Sequence, residues 1–298
     1  MSTQVVLILS GLAVGSIYAL IAIGFAIIFK ASHTLNFAHL ALMLIGGFLV
    51  YQSTQLWGFS FWTGLAIAAG INAVLASALY LLVAAPLVGR SMLAILIATL
   101  GANIVLETGV IANPAWATDV GREVGSPWGS LTVEVLGGRM FLSHLWVLGL
   151  STAVILLLYV VLQRSRWGLL FRAIAEDQEA AAAQGINVKY ILVAVWAVAG
   201  MLAAVAGAFV GTFPRLISPE SVEFALRSIP AVVIGGFDSI NGAIVGGALV
   251  GLAEVYAAGY APDYLGNNFH LIVAFLLMFV VLMIRPRGLF GSPEIRRV

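Results

Sequence analysis

The most chemically capable side chains in this sequence stand inside long apolar runs, where each needs a reason to be. Asn36 and His39 lie three residues apart in the run LNFAH (35–39), a spacing that places them on one face of a helix. Thr99, Asn103 and Glu107 recur every fourth residue and draw a polar stripe along another helix. Asp238, Ser239 and Asn241 interrupt the apolar stretch 230–257 among Gly235, Gly236 and Gly242, and Glu254 follows. Two jobs suit Asn36, His39, Thr99 and Asn103. One is hydrogen bonding between helices, worth about 0.6 kcal/mol on average in measured membrane cases. The other is lining a path for a polar solute. Asp238, Ser239 and Asn241 suit capping of two half-helices, and half-helix ends also attract carboxylate or ammonium groups. Glu254 is expected to be paired or to lie near an interface.

Catalysis finds no footing. No second histidine or carboxylate is spaced to assist His39, and neither HExxH nor GxSxG occurs. There are no cysteines, which removes thiolate-metal and disulfide chemistry. Lys30 and Lys189, the only lysines, sit in no phosphate-binding loop, so no nucleotide site of that type is encoded. No catalytic residue and no metal ligand are assigned. The Asn113-Pro114-Ala115 triplet has no second copy and reads as a turn.

The elements that must hold these residues follow from composition. Of 298 residues, 62% are hydrophobic and 9% charged, with mean hydropathy +1.08. Soluble domains are about 25% charged. A soluble enzyme, a secreted disulfide scaffold and a nucleic-acid binder are all excluded. Of the 27 charges, 21 gather in four polar stretches, 113–143, 163–190, 214–229 and 285–298. Only Glu107, Asp238 and Glu254 interrupt apolar segments, as the cost of about 2.5–3.5 kcal/mol per mid-bilayer charge demands. The apolar segments are 5–29, 36–51, 61–88, 92–112, 144–162, 191–213, 230–257 and 269–284. The first lacks a basic leader and exceeds a signal-peptide core, so it reads as a retained span. The expected fold is an all-α polytopic membrane protein. It is a bundle of about eight transmembrane segments with broken or re-entrant helices, forming one membrane domain over 1–298.

Orientation follows the positive-inside bias. Arg164, Arg166, Arg172 and Lys189 place the loop 163–190 in the cytoplasm, and Arg285, Arg287, Arg296 and Arg297 place the tail there. Counting back puts Arg90 and Lys30 inside and the N-terminus outside. Three apolar segments then lie between two cytoplasmic ends, where the number of crossings must be even. The glycine-rich 230–257 is the odd one, expected as a re-entrant pair of half-helices or two short spans. Broken backbone at that depth needs protein or water around it. The pairs Gly11/Gly15, Gly207/Gly211, Gly242/Gly246 and Gly247/Gly251 favour dense helix packing, within the chain or against a second one.

The cytoplasmic loop 163–190 carries the clearest motif. Arg172 to Gln184 predicts one helix with Asp177 and Glu179 in its N-terminal half, stopped by Gly185. Glu179-Ala180-Ala181 with Gly185 matches the EAA-x-x-x-G pattern of permeases in ATP-binding cassette (ABC) importers. The chain resembles, over roughly 11–291, the LivH type of permease subunit from branched-chain amino acid importers. Five runs carry the likeness: GSIYALIAIGFAIIF (15–29), LNFAH (35–39), RAIAEDQEAAAAQGINV (172–188), IGGFDSINGAIVGG (234–247) and RPRGLFG (285–291). Leu40 and Asn241 depart from the glycine and proline common there.

The resemblance implies translocation of branched-chain or related hydrophobic amino acids across the bacterial inner or cytoplasmic membrane. It makes 163–190 a coupling loop in which Arg172, Asp177, Glu179, Ala180, Ala181 and Gly185 engage an ATPase. The implied partners are a second permease (the same or a different chain), two cytoplasmic ATPase subunits and a periplasmic or extracellular substrate-binding protein. The loops 113–143 and 214–229 would receive the binding protein. ATP and Mg would be used by the ATPases, with no cofactor on this chain and no nucleic-acid partner. Relatives carry urea, short amides or other amino acids, which remain alternatives, as does an autonomous channel or secondary transporter.

Overall fold

The computed structural model describes residues 2–116, 121–212, 214–260, 262 and 268–291. The outermost tail arginines, Arg296 and Arg297, lie outside the described residues. Three helices make the centre. The first, α1 (Ser2–Ser32), spans 31 residues, or about 46 Å, without a proline. It is joined by α2 (His39–Tyr51), in which every residue is buried, and by α8 (Val188–Val210). A helix apolar on all sides belongs in a core.

Three further spans lie outside this centre, and each buries only a narrow stripe. α3 (Phe61–Leu79) buries Phe61, Gly64, Ala68, Asn72 and Ala76, and a wide turn followed by a tight one carries the span on to Leu87. α4 (Met92–Ala112) buries Ile95, Thr99, Asn103 and Val110. α5 (Leu142–Arg164) buries Ser143, Val147, Ser151 and Ile155. Their other faces expose residues such as Leu93, Ile104, Val105 and Leu157, as surfaces meant for lipid or another apolar partner do. Span entries are capped as their sequences require. Ser60 accepts from Thr63 N at 3.2 Å, and Ser91 from Ala94 N at 3.3 Å.

Between α4 and α5 a hairpin of β1 (Thr132–Val135) and β2 (Gly138–Phe141) lies on one face of the bundle. Asn113 makes the predicted turn, its side chain accepting from Ala115 N at 3.0 Å. Between α5 and α8 lie two short helices, α6 (Arg166–Glu176) and α7 (Gln178–Ala183). After α8 come α9 (Val222–Leu226), α10 (Ser228–Gly235), α11 (Ile240–Tyr260) and α12 (Phe269–Ile284). Among the described residues, six helices are long and apolar enough to cross a membrane; α2, α10 and α12 are shorter.

Three expectations change. Asn36 is not helical: α2 starts at His39, so the two residues share a site but not a helix face. The stretch 230–257 is neither a re-entrant pair of half-helices nor two short spans, since the chain breaks at 236–239 and α11 is a full span of 21 residues. The descending partner of α11 begins earlier, inside the polar stretch 214–229, whose Phe224, Ala225 and Ser228 are buried. With α9 and α10 taken as one short crossing, four crossings join the two cytoplasmic ends and the parity is even. Finally, Asp177 is extended (φ −157°) and divides the predicted 172–184 helix into α6 and α7.

The two faces are consistent with the charge bias. Ser32, Thr34, Arg90 and Gln178 line one small cavity, so the end of α1, the α3–α4 turn and the 163–190 loop share a side. On the opposite side Gln4 donates to the Tyr260 hydroxyl at 2.7 Å. Trp57, Phe59, Trp62 and Trp146 are exposed near the span ends of that side, an aromatic belt of the kind found at membrane–water boundaries.

Candidate functional site

Two breaks in the bundle and one surface hairpin meet around the inner half of α1. The first break is residues 33–38. His33 ends α1 with a left-handed φ of 53°, and the chain turns back into the bundle instead of leaving it. α2 starts where the His39 ring lies against Gly24, eight residues or about 12 Å before the end of α1. The ring also meets Phe25 edge-on at 5.0 Å.

A helix that begins at depth exposes backbone donors that water cannot reach. The polar stripe of α4 satisfies them. Thr99 Oγ1 accepts from Phe37 N at 3.2 Å, and Asn103 Oδ1 accepts from Ala41 N at 3.0 Å. Asn103 Nδ2 donates to Glu107 at 3.3 Å, so Glu107 helps to hold the Asn103 amide in place. From α3, Asn72 Nδ2 donates to Leu42 O at 2.7 Å. Thr99 and Asn103 are thereby placed as backbone partners of the break. Asn36 is different: it is buried, and neither amide atom has a hydrogen-bond partner among the described residues.

The second break, 236–239, is closed by backbone. Gly236 has φ 102°, which favours glycine. The last carbonyls of α10 accept from the C-terminal segment, Ile234 O from Leu289 N at 2.7 Å and Gly235 O from Phe290 N at 3.0 Å. Gly235 and Gly242 face one another so closely that a Cβ on either would overlap the other's backbone. Ser239 caps α11, its Oγ accepting from Gly242 N at 3.0 Å, whereas Asn241 is exposed on the first turn. Farther along, a Cβ on Gly15 of α1 would lie 2.7 Å from the Gly247 carbonyl, which shows how tightly α1 and α11 cross.

The hairpin of α6 and α7 is built from its caps. Ser165 accepts from Gly168 N at 3.0 Å. Asp177 accepts from Glu179 N at 2.9 Å and Ala180 N at 3.0 Å, which is why the helix breaks there. Arg172 donates to the Leu162 and Gln163 carbonyls at the end of α5. Glu179, Ala180 and Gly185 are exposed, while Ala181 is buried against the bundle. Gly185 takes φ 82° at the stop. Gln178, which motif reasoning passed over, donates to Ala31 O at 2.5 Å and ties the hairpin to the end of α1.

Four of the five sequence runs that carried the family likeness therefore meet one another, and the fifth, 172–188, reaches Ala31 just past the first. Gly15 meets Gly247, Gly24 meets His39, Phe29 packs on Phe237 at 5.5 Å, Gln178 meets Ala31, and Leu289 meets Ile234. A bundle with a mid-depth break beside a cytoplasmic hairpin, and with apolar surfaces left for lipid or a partner chain, defines a membrane permease.

The family model describing the permease component of branched-chain amino acid transport systems matches residues 7–282, and the chain belongs to that family. It is 29% identical to the LivH permease protein of the high-affinity branched-chain amino acid transport system of Escherichia coli K12. That alignment covers 97% of this chain and 96% of the relative. It is 30% identical to BraD of the corresponding Pseudomonas aeruginosa system, over 98% and 97% of the two chains. Among solved structures, PsaBC from Streptococcus pneumoniae in complex with Fab has the same overall fold. The TM-score is 0.51 at 12% identity, covering 93% of this chain and 91% of that one. The protein is thus a multi-pass transport subunit of the bacterial inner membrane and not itself a catalyst. As a permease component it implies ATPase and binding-protein partners.

One polar cluster escaped sequence reasoning. Arg227 Nη1 donates to Glu254 Oε1 at 2.6 Å, and the Tyr18 hydroxyl donates to the other carboxylate oxygen. Tyr18 stacks on Phe224 at 4.7 Å. Glu254 was expected to be paired, but its partners lie 27 and 236 residues away and no local pattern announces them.

Proposed function

We propose that this chain is half of the translocation path for leucine, isoleucine, valine or a closely related amino acid, and that it pairs with a second permease. Two ATPase subunits, which bind ATP and Mg, dock on α6 and α7 through Glu179, Ala180 and Gly185. A substrate-binding protein delivers the amino acid on the opposite face. The observation that carries this reading is the Gln178–Ala31 bond, which joins the hairpin to α1 two residues before the turn into the first break. Movement of α6 and α7 would reach residues 33–38 through that bond as a small rigid-body shift. Arg172 and Asp177 hold the hairpin in shape and contribute to docking only through that shape.

Asn36, buried and unpartnered, is the best candidate to touch the amino acid as it passes, with His39 beside it. Thr99 and Asn103 hold the backbone there. Asp238 and Ser239 belong to the fixed second break. The apolar surroundings suit an aliphatic side chain, and the few amides offer the zwitterion partners in transit.

The test is uptake of radiolabelled leucine into proteoliposomes containing the permease pair. Uptake is expected only when ATPases, ATP and binding protein are all present. Uptake by this chain alone would instead establish a channel or secondary transporter.

A further inference from the structure

On the face opposite α6 and α7, a cavity of about 490 Å³ opens between the loop after α8, α9, the end of α11 and the start of α12. Small-molecule sites commonly measure about 300–1,000 Å³. Arg215, Arg227 and Glu254 lie together on it. Glu254 is fully committed, one oxygen to Arg227 and the other to Tyr18. Both guanidinium groups lie 5.2 Å from the centre of the Phe224 ring. Arg227 thus takes the Glu254 carboxylate, and Arg215 forms no ion pair among the described residues.

Burial lowers the Arg215 pKa from its ordinary value, with Tyr18 and Glu254 nearby opposing the fall and the charge of Arg227 adding to it, although a guanidinium keeps its proton. A half-buried cation without an ion-pair partner among the described residues is partly stripped of water, and an anion that arrives there stabilises it. Two more carboxylates, Glu220 and Glu223, are exposed at the rim. Phe224, Val255 and Leu271 supply an apolar wall between rim and floor.

We propose that this cavity is an entry site for the free amino acid, taken up before it passes to the first break. Arg215 binds the α-carboxylate, in the forked geometry guanidinium groups favour. Glu220 and Glu223 attract the α-ammonium, and the half-buried Val255 and Leu271 receive the aliphatic side chain. Tyr18 and Glu254 are positioning residues that hold Arg227 in place and leave Arg215 available. The inference rests on the substrate class proposed above and adds a location and an orientation to it.

The test uses the complete reconstituted transporter and two readouts, leucine uptake and the ATP hydrolysis stimulated by loaded binding protein. Arg215→Gln is expected to lower uptake at least tenfold while stimulated hydrolysis stays within twofold of wild type, and Arg215→Lys to recover part of the loss. Unchanged uptake in Arg215→Gln overturns the proposal. A parallel loss of uptake and stimulated hydrolysis also overturns it, because Arg215 would then serve docking of the binding protein. If Arg215→Gln fails to assemble, the exposed double variant Glu220→Gln/Glu223→Gln decides. Lowered uptake with retained stimulation supports the site, and any other result overturns it. A wild-type complex that moves no branched-chain amino acid would instead refute the substrate reading, a separate outcome.

Discussion

The two breaks in the bundle solve one problem by different means. At residues 33–38 and the first turn of α2 the interrupted backbone is satisfied by side chains of a neighbouring helix, Thr99 and Asn103. At 236–239 it is satisfied by backbone, from the C-terminal segment and from glycine packed on glycine. Side-chain bonds are exchanged by rotating a few χ angles, whereas interlocked backbone must separate as a unit. The first break also holds buried amide atoms without partners at Asn36, and it is tied to the hairpin through Gln178. The difference favours the proposal that motion and passage belong to the first break and anchorage to the second.

Substitutions on the two sides should diverge most at the second break. Gly242→Leu pushes a side chain into the Gly235 backbone, where nothing can yield. The expected outcome is no monodisperse protein after detergent extraction. Normal yield and size-exclusion profile would show that this break is not rigid. At the first break, Asn103→Leu keeps the volume but leaves Ala41 N without its acceptor. A loss of about 1–3 kcal/mol is expected, as for a buried donor left unpaired. Thermal unfolding in detergent would read it as a folded but less stable protein. Thr99→Val removes the weaker bond to Phe37 N at 3.2 Å, and about 0.5–1.5 kcal/mol is expected in the same assay. A Thr99 variant as damaging as Gly242→Leu would erase the distinction between the two breaks.

Much of this was legible in the sequence, and the reasons differ by region. The long spans were visible because lipid clears charge from them, and the stripe Thr99–Asn103–Glu107 because helical spacing puts the three on one face. The break near Gly236 was visible as clustered glycine and polar residues. Its proportions were not, because charged Arg227 lies inside the short descending segment and is tolerated only by Glu254, brought from 27 residues away. The non-helical state of Asn36 depends on acceptors from α4 more than 60 residues distant, which no local pattern encodes. The division at Asp177 had a signal: an Asp followed by Gln and Glu is a good helix start, and the surrounding alanines masked it. The Arg215 cavity was hidden because 214–229 reads as a loop until its folding is seen.

The account stands most directly on whether α6 and α7 transmit the energy of ATP to the transport path. The measurement is the number of leucine molecules moved per ATP hydrolysed by the complete complex in proteoliposomes, with wild type and Glu179→Lys side by side. Glu179 is exposed and bonds through its backbone to Asp177, so the hairpin should keep its fold when the side chain reverses charge. The predicted result is continued ATP hydrolysis with leucine transport reduced at least tenfold. A Glu179→Lys complex with the wild-type ratio and rate would contradict the docking of the ATPase on this hairpin.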